Sequence, residues 1–200
     1  MDKIGRYEIR ETLGSGAMAD VLAAFDPDIH RTLAIKLLKP VHAEDKQYVS
    51  RFLREAKAAG ALNHRNIVTI FDVGEVDDRP FILMELVDGE PLDEIIAEQG
   101  KLSVPKVVKI GIQLADALHY AHERGVVHRD IKPSNIMVLK DQETVKIADF
   151  GIARFDDPAS SEKTIAGSIL GTPQYMSPEQ VLGHPVDGRS DLFSVGVILY

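Results

Sequence analysis

The first part of the chain consists of short, mostly apolar runs broken by turn residues, a pattern that is typical of β-strands. Runs of this kind, bounded by Gly, Pro and Asp, cover residues 7–9, 21–25, 32–38, 67–73 and 81–86, and the last two are separated by a polar turn at 75–78. Between the third and fourth runs, apolar residues share one helical face: Val49, Phe52, Leu53, Ala56 and Ala59. We therefore predict an antiparallel sheet with one helix, over about 44–62, packed on it.

From residue 88 onward the pattern is helical. A helix is predicted over 92–98, followed by a longer one with Ser103 at its N-cap and Pro105 in its first turn. The longer helix has one apolar stripe: Val107, Ile110, Leu114, Leu118 and Ala121. The segment 88–91 contains Gly and Pro and is a candidate hinge. The pattern thus predicts an α+β fold with a small β-sheet lobe at 1–87 and a larger, mainly helical lobe at 88–200, and a cleft between lobes is a natural ligand site.

Composition narrows the class of protein. The 200 residues include no Cys, which excludes disulfides and favours a cytoplasmic location. A net charge of −8 disfavours nucleic acid as the main partner. The N-terminal residues lack the apolar region of a signal peptide, and no apolar run reaches the ~20 residues of a membrane helix. We therefore expect no membrane segment within 1–200.

A glycine-rich turn follows the first predicted strand. It contains Gly14, Ser15, Gly16 and Ala17, and the small residues allow backbone N–H groups to approach a phosphate. Taken alone, an ordinary tight turn explains this pattern equally well. A dinucleotide-binding loop is disfavoured because that motif opens a helix, whereas residues 21–25 predict a strand and Ala19 stands where a third glycine would be.

Lys36 lies in the middle of an apolar strand. Burial of an unpaired ammonium group would cost several kcal/mol, so the position calls for an anionic partner. Glu55, on the striped helix, is the candidate. The alternative is an edge position from which the side chain reaches water.

Two polar motifs follow in the second half of the chain. His-Arg-Asp-Ile-Lys-Pro-Ser-Asn occupies 128–135, and Asp-Phe-Gly occupies 149–151. Each is ordinary alone, but their order after the glycine-rich turn resembles the eukaryotic-like protein kinases over residues 7–200. The sequences of these motifs, together with Gly-Thr-Pro-Gln-Tyr-Met-Ser-Pro-Glu-Gln at 171–180, are most similar to those of bacterial serine/threonine kinases. The resemblance implies a two-lobed protein-kinase-like fold.

The resemblance also implies catalytic roles. Asp130 would orient the acceptor hydroxyl and accept its proton, while Lys132 would neutralise charge on the γ-phosphoryl group of ATP. Lys36, oriented by Glu55, would hold the α- and β-phosphates. The substrates would be proteins with Ser or Thr acceptors, because Lys132 and Thr172 follow the serine/threonine pattern.

Cofactor contacts follow from the same resemblance. Asn135 and Asp149 would hold Mg²⁺, with Mn²⁺ as an alternative. Met84 would be the gatekeeper, and the backbone of Glu85 and Val87 would face adenine. Residues implied in ATP binding are Leu13, Gly14, Ser15, Gly16, Ala17, Val21, Ala34, Lys36, Met84, Glu85, Val87 and Met137. For each apolar member, a plain core position is an equal alternative.

Arg129 precedes Asp130, which implies switching by activation-loop phosphorylation, with Arg129 as the phosphate partner. The candidate acceptors are Thr164 and Ser168, whereas Ser160 and Ser161 are interpreted as ordinary loop residues. A kinase-domain dimer is a further expectation.

Residues 177–191 carry structural expectations. Ser177 and Gln180 predict a capping box, and Glu179 is expected to be structural. Asp191 resembles the aspartate that anchors the catalytic-loop backbone.

Two other functions are alternatives to a protein kinase. A pseudokinase or nucleotide-binding scaffold is the main alternative, and a small-molecule phosphotransferase is disfavoured by residues 171–180. The sequence stops at Tyr200 inside an apolar helical pattern, from which we expect that the natural product continues and that 1–200 alone is aggregation-prone.

Overall fold

The computed structural model describes residues 2–150 and 173–200, without the side chains of Gln47, Arg51 and Glu55. These residues form two units. One contains residues 1–63 and 68–87, and the other contains residues 64–67 and 88–200. The following paragraphs take each unit by itself.

The first unit contains a six-stranded sheet in the order β1-β2-β3-β4-β6-β5, and every neighbouring pair is antiparallel. The strands are β1 (Lys3–Ile4), β2 (Tyr7–Ser15), β3 (Ala19–Asp26), β4 (Arg31–Leu38), β5 (Ile70–Val76) and β6 (Arg79–Met84). Asp77 and Asp78 join β5 to β6 with φ of 49° and 57°, the left-handed pair that a tight hairpin requires. The predicted antiparallel sheet and its polar turn are confirmed.

The helices of the first unit are α1 (Pro40–Ala43) and α2 (Lys46–Gly60). The predicted helix over 44–62 is confirmed as α2, with slightly shorter bounds. Phe52, Ala56 and Ala59 are buried, so the apolar stripe packs as its spacing indicated. The short helix α1 was not predicted, because four residues are too few to show a period.

One hydrophobic core cluster of this unit is built from side chains of strands β1 to β4 and β6. Its buried members are Ile4, Tyr7, Ala24, Leu33, Ile35, Leu37, Phe81 and Leu83. The rings of Tyr7 and Phe81 meet edge to face, with centroids 6.3 Å apart, a preferred aromatic geometry. In β4 and β6 consecutive residues are buried, so both faces of these central strands are covered.

The second unit is mainly helical. Its elements are β7 (Gly89–Pro91), α3 (Leu92–Gln99), α4 (Val104–His122), β8 (Ile136–Leu139), β9 (Val145–Ile147), α5 (Pro178–Val181) and α6 (Gly188–Leu199). Strands β7, β8 and β9 form a small antiparallel sheet. On α4 the predicted stripe is buried at Ile110, Leu114, Leu118 and Ala121, whereas Val107 is half-buried. No helix of 2–150 or 173–200 is both long and apolar enough to cross a membrane.

The strand predicted at 67–73 is wrong at its start. The strand begins at Ile70, while Ile67 forms a parallel bridge with Ile147 of the second unit. Asn66, almost fully buried, secures this arrangement: its Nδ2 donates to Val145 O at 2.7 Å and its carbonyl accepts from Ile147 N at 2.8 Å. The apolar run continues through both stretches, so the pattern alone did not separate them.

The segment proposed as a hinge contains a short strand, and its role as a hinge stays a prediction. From Gly89 onward it forms β7 and pairs with β8. Lys140 N donates to Asp88 O at 3.2 Å and extends this pairing by one position. Residues 88–91 therefore belong to the sheet of the second unit.

We predict that Gly89→Ala destabilises the protein by roughly 1–3 kcal/mol, the usual cost of forcing atoms into a packed site. A Cβ on Gly89 would lie 2.3 Å from Val138 O and 2.9 Å from Leu139 Cα, and backbone atoms cannot rotate away. Urea denaturation measures the loss. The control is Gly196→Ala, where a Cβ meets no described atom within 4 Å and the helix should gain slightly. Equal stability of the Gly89→Ala protein and the unsubstituted protein would contradict this packing.

Candidate active site

The loop that precedes Asp130 is held by one buried carboxylate. Asp191 is 1% exposed and lies in the first turn of α6. Asp187 is the N-cap of this helix, and its side chain accepts from Arg189 N at 2.9 Å. Asp191 Oδ2 accepts from His128 N at 2.9 Å, and Oδ1 accepts from Arg129 N at 2.7 Å. The anchoring role expected of Asp191 agrees with this geometry.

His122 of α4 supplies a further donor to the same carboxylate, with Nε2 2.8 Å from Asp191 Oδ2. Because a carboxylate oxygen only accepts, Nε2 carries the proton. A Cβ on Gly188 would lie 2.5 Å from His122 Nδ1. The glycine at this position therefore leaves the space that His122 occupies.

His128 links the loop to the stretch after β9. Asp130 N donates to His128 Nδ1 at 3.2 Å, so the ring proton is on Nε2, which donates to Ala148 O at 2.9 Å. The ring is fully buried and lies 4.7 Å from the ring of Phe150. His128 thus fixes the backbone on both sides of Asp149.

Two side chains meet at Asp130. Lys132 Nζ lies 2.8 Å from Asp130 Oδ2, and Asn135 Nδ2 donates to Asp130 O at 2.8 Å and approaches Oδ2 at 3.3 Å. The Asp130 and Lys132 side chains are only 17% and 22% exposed. Partial burial strengthens this charge pair relative to one in water, because the local dielectric is lower.

Asp149 stands beside this group in the fold of the second unit. Ala148 N donates to Asn135 O at 2.8 Å, while Phe150 is buried against His128. Asp149 itself has φ of 58°, a left-handed conformation that is uncommon for residues other than glycine. Its neighbours on both sides therefore hold a backbone conformation that it would rarely adopt alone.

The segment 173–181 is held to α6 by two buried serines. Ser194 Oγ donates to Tyr175 O at 2.7 Å, and the Ser190 hydroxyl donates to Glu179 Oε1. That hydroxyl is the main reason why the pKa of Glu179 lies below its usual range. Ser177 N donates to Gln180 Oε1 at 3.0 Å, which confirms this half of the predicted capping box.

Sequence reasoning missed the contact of Gln180 with the catalytic loop. Gln180 Nε2 donates to Arg129 O at 2.7 Å. It also gave no role to Ser190, Ser194 or His122. Polar residues at buried helical positions, such as Ser190 and Ser194 one turn apart on α6, were the available signal.

The glycine-rich turn of the first unit joins β2 to β3, with Gly14 opposite Val21 and Ser15 opposite Asp20. Gly16 N donates to Ala19 O at 2.9 Å, and Ser15 Oγ donates to Asp20 Oδ1 at 2.6 Å. The turn opens a strand and not a helix, as the sequence indicated. Leu13 and Ala17 are exposed beside it.

Lys36 lies on β4 between Val21 of β3 and Ile82 of β6, and it is 9% exposed. A central, buried position rules out the alternative of an edge lysine that reaches water. The side chain of Glu55 lies outside the described residues, so the pairing of Lys36 with Glu55 stays a prediction.

The remaining residues implied in adenine binding range from buried to half-buried. Ala34 is buried opposite the half-buried Met84, and Glu85 N donates to Thr69 O at 2.9 Å, so this N–H is already engaged within the first unit. Val87 is half-buried. Met137, half-buried in β8, belongs to the second unit, whereas the other predicted ATP contacts belong to the first.

The predicted phosphorylation sites Thr164 and Ser168, and Thr172, lie outside the described residues. Within 2–150 and 173–200, no group of three or more His, Cys, Asp or Glu side chains could hold a metal ion. A metal at this site would therefore bind fewer than three such side chains of the described residues.

Comparisons with known proteins agree with this geometry. Residues 7–200 match the family described as the protein kinase domain. The chain is 46% identical over 204 residues to the serine/threonine-protein kinase PksC of Streptomyces coelicolor, a match that covers 98% of this chain and 36% of that protein. It is 41% identical over 199 residues to the serine/threonine-protein kinase PknB of Mycobacterium tuberculosis, covering 98% of this chain and 32% of that protein.

Among solved structures, the PknI kinase domain of Mycobacterium tuberculosis matches with a TM-score of 0.79 and 32% identity, over 98% of this chain and 73% of that chain. The predicted α+β protein-kinase-like fold is thereby confirmed. The chain spans about a third of the length of the curated relatives that it matches. The match over nearly the whole sequence, together with the loop geometry around Asp130, shows that this chain belongs to the protein kinase domain family and is similar to its bacterial serine/threonine members.

Proposed function

We propose that this protein transfers the γ-phosphoryl group of ATP to serine and threonine hydroxyls of proteins. The observation that supports this proposal most strongly is the cluster of Asp130, Lys132 and Asn135 on a loop whose backbone is bound by Asp191. Phosphoryl transfer needs little covalent help from the protein, so positioned charges supply most of the rate. A rigidly held carboxylate beside a lysine is an arrangement of that kind.

In this proposal, Asp130 Oδ orients the acceptor hydroxyl and receives its proton. Lys132 Nζ, already 2.8 Å from Asp130 Oδ2, faces the charge that develops on the transferred group. Asn135 keeps the Asp130 backbone in place through its Nδ2. Each side chain thus has a separate task in one step.

The donor set also fits Mg²⁺. The Asn135 amide nitrogen donates to Asp130, so its oxygen is the atom that can serve as a ligand, and Asp149 offers a carboxylate held by its neighbours. Mg²⁺ commonly takes one or two such protein oxygens and completes its shell with phosphate oxygens and water, so a larger acidic cluster is not needed. When bound, the metal would neutralise phosphate charge.

The first unit would supply the nucleotide contacts. Backbone N–H groups of Gly14, Ser15, Gly16 and Ala17 would approach the phosphates, and Lys36 would hold the α- and β-phosphates. A nearly buried ammonium is a strong partner for a phosphate, because little water competes with it. Val21, Ala34 and Met84 would contact adenine, together with Leu13, Val87 and the Glu85 backbone.

The acceptor would be a protein, and the reaction would be cytoplasmic and serve signalling. Lys132 two positions after Asp130 supports serine and threonine over tyrosine as acceptors. The kinase itself is one such substrate in this proposal, through Thr164 or Ser168. A kinase-domain dimer would bring the loop of one copy to the active site of another.

We predict that Lys36→Met and Asp130→Asn each lower phosphate transfer more than about a hundredfold, the usual scale for removal of a positioned charge. Both changes act on charge and not on core volume, so the melting temperature should hold. Incorporation of labelled phosphate into protein from ATP and Mg²⁺ measures the effect. The controls are Lys101→Met and Asp78→Asn, which make the same chemical changes at exposed turns.

Near-normal transfer by either Lys36→Met or Asp130→Asn would contradict the assigned roles. Failure of the unsubstituted protein to transfer phosphate while it still binds ATP would favour the nucleotide-binding scaffold instead.

We further predict that the protein phosphorylates itself at Thr164 or Ser168 and that the Thr164→Ala/Ser168→Ala double variant loses roughly tenfold in activity, since charge-assisted hydrogen bonds to Arg129 shift a loop equilibrium by about that factor. Mass spectrometry identifies the sites, and transfer assays measure the loss. The matched control is Ser160→Ala/Ser161→Ala, which removes two hydroxyls from the same stretch. Full activity of a preparation that is unmodified at both residues would refute the switch.

A further inference from the structure

The side-chain amide of Gln180 joins the catalytic loop that carries Asp130 to the segment 173–181. Its Oε1 accepts from Ser177 N at 3.0 Å, and its Nε2 donates to Arg129 O at 2.7 Å. Both bonds are partly buried. One residue therefore binds the backbone of the segment 173–181 with one end of its amide and the backbone of the catalytic loop with the other.

The bond to Arg129 acts on the peptide unit that carries Asp130. The carbonyl of that unit accepts from Gln180 Nε2, and its N–H, which belongs to Asp130, donates to His128 Nδ1. Both polar groups of the unit are thus engaged by side chains. Rotation of this peptide would break both bonds, so its orientation sets the direction in which the Asp130 side chain leaves the backbone.

Arg129 needs such support because its backbone conformation is unfavourable. Its φ is 69°, in the left-handed region, which is unfavourable for a residue other than glycine. Asp191 binds its N–H and Gln180 binds its carbonyl, so side chains from outside the loop hold both of its backbone polar groups.

The Oε1 end of the Gln180 amide binds the segment 173–181, which is itself hydrogen-bonded to helix α6. Two serines of helix α6 bind this segment: Ser194 donates to the carbonyl of Tyr175, and Ser190 donates to the side chain of Glu179. Asp130, Tyr175, Met176 and Gln180 line one small depression in the second unit. Gln180 therefore connects the reacting carboxylate to the backbone that borders it.

We propose that Gln180 is a positioning residue for phosphoryl transfer, which sets the orientation of Asp130 relative to the segment 173–177. This inference rests on the function proposed above. In the proposed reaction a protein acceptor presents its hydroxyl to Asp130, and Tyr175 and Met176 of this segment border that residue. The amide of Gln180 is the direct link between the two.

The capping function alone requires only half of this amide. In a capping box the side-chain oxygen accepts from the N-cap N–H, and Glu serves as well as Gln. Glu is also favourable in the first turn of a helix, because the helix dipole attracts negative charge there. Gln180→Glu therefore keeps the cap but removes the donor to Arg129 O, which separates the two roles.

The experiment measures Gln180→Glu in the full protein. We expect kcat to fall about tenfold or more, the effect of losing one well-formed hydrogen bond in the transition state, while the KM for ATP stays within about twofold. The melting temperature should fall by at most about a few degrees, because one hydrogen bond is lost while the cap is retained. NMR-detected hydrogen exchange should be faster at the Asp130 amide and unchanged at the Ser177 amide.

Two further variants complete the design. Gln180→Met has a similar size but neither polar group, so exchange should be faster at both Ser177 and Asp130. Gln99→Glu, at the exposed end of α3, makes the same charge change without contact to either segment and should leave kcat unchanged.

Full kcat for Gln180→Glu, or a lower kcat without faster exchange at Asp130, would overturn the inference and leave the proposed transferase activity standing. If the unsubstituted protein transfers no phosphate, the proposed function fails. The exchange measurement then decides whether Gln180 fixes the Arg129–Asp130 peptide: faster exchange at Asp130 supports that part of the inference, and unchanged exchange overturns it.

Discussion

The catalytic loop depends on the burial of the Asp191 carboxylate. Transfer of an ionised carboxylate out of water costs several kcal/mol unless hydrogen bonds replace its hydration. Here His122 Nε2 and the N–H groups of His128 and Arg129 provide that replacement. Two of these three donors belong to the loop, so the buried carboxylate and the ordered loop stabilise each other. The left-handed turn at Arg129 is held by this carboxylate through the Arg129 N–H and by Gln180 through the Arg129 carbonyl.

Hydrogen bonds spread from this anchor to the reacting groups. His128 passes the constraint to Ala148, Asn135 ties Ala148 to Asp130, and the buried Phe150 closes the group against the His128 ring. On the other side, Ser190 and Ser194 connect the segment 173–181 to the same helix. Helix α6 thus holds both segments that border Asp130, which explains why its buried face is polar.

The sequence predicted the regular elements well because their periods are long enough to read, as in α2 and α4. It misplaced the strand that begins at Ile70, because the β-branched run starts earlier and Asn66 alone shows that the earlier part packs elsewhere. The site residues came from motif order and resemblance, not from periodicity. The double role of Gln180 could not be predicted, since a capping pattern names only its local partner and the contact with Arg129 spans 51 positions.

The central claim is that the Asp191 carboxylate positions Asp130 for phosphate transfer. Its most direct test is a double measurement on Asp191→Asn, which keeps the size of the side chain but replaces one acceptor oxygen by a donor. The account predicts that kcat falls more than about tenfold, and that hydrogen exchange becomes faster at the amides of His128 and Arg129, because the lost bonds are to a charged acceptor. An Asp191→Asn protein with unchanged kcat and unchanged exchange at both amides would contradict it.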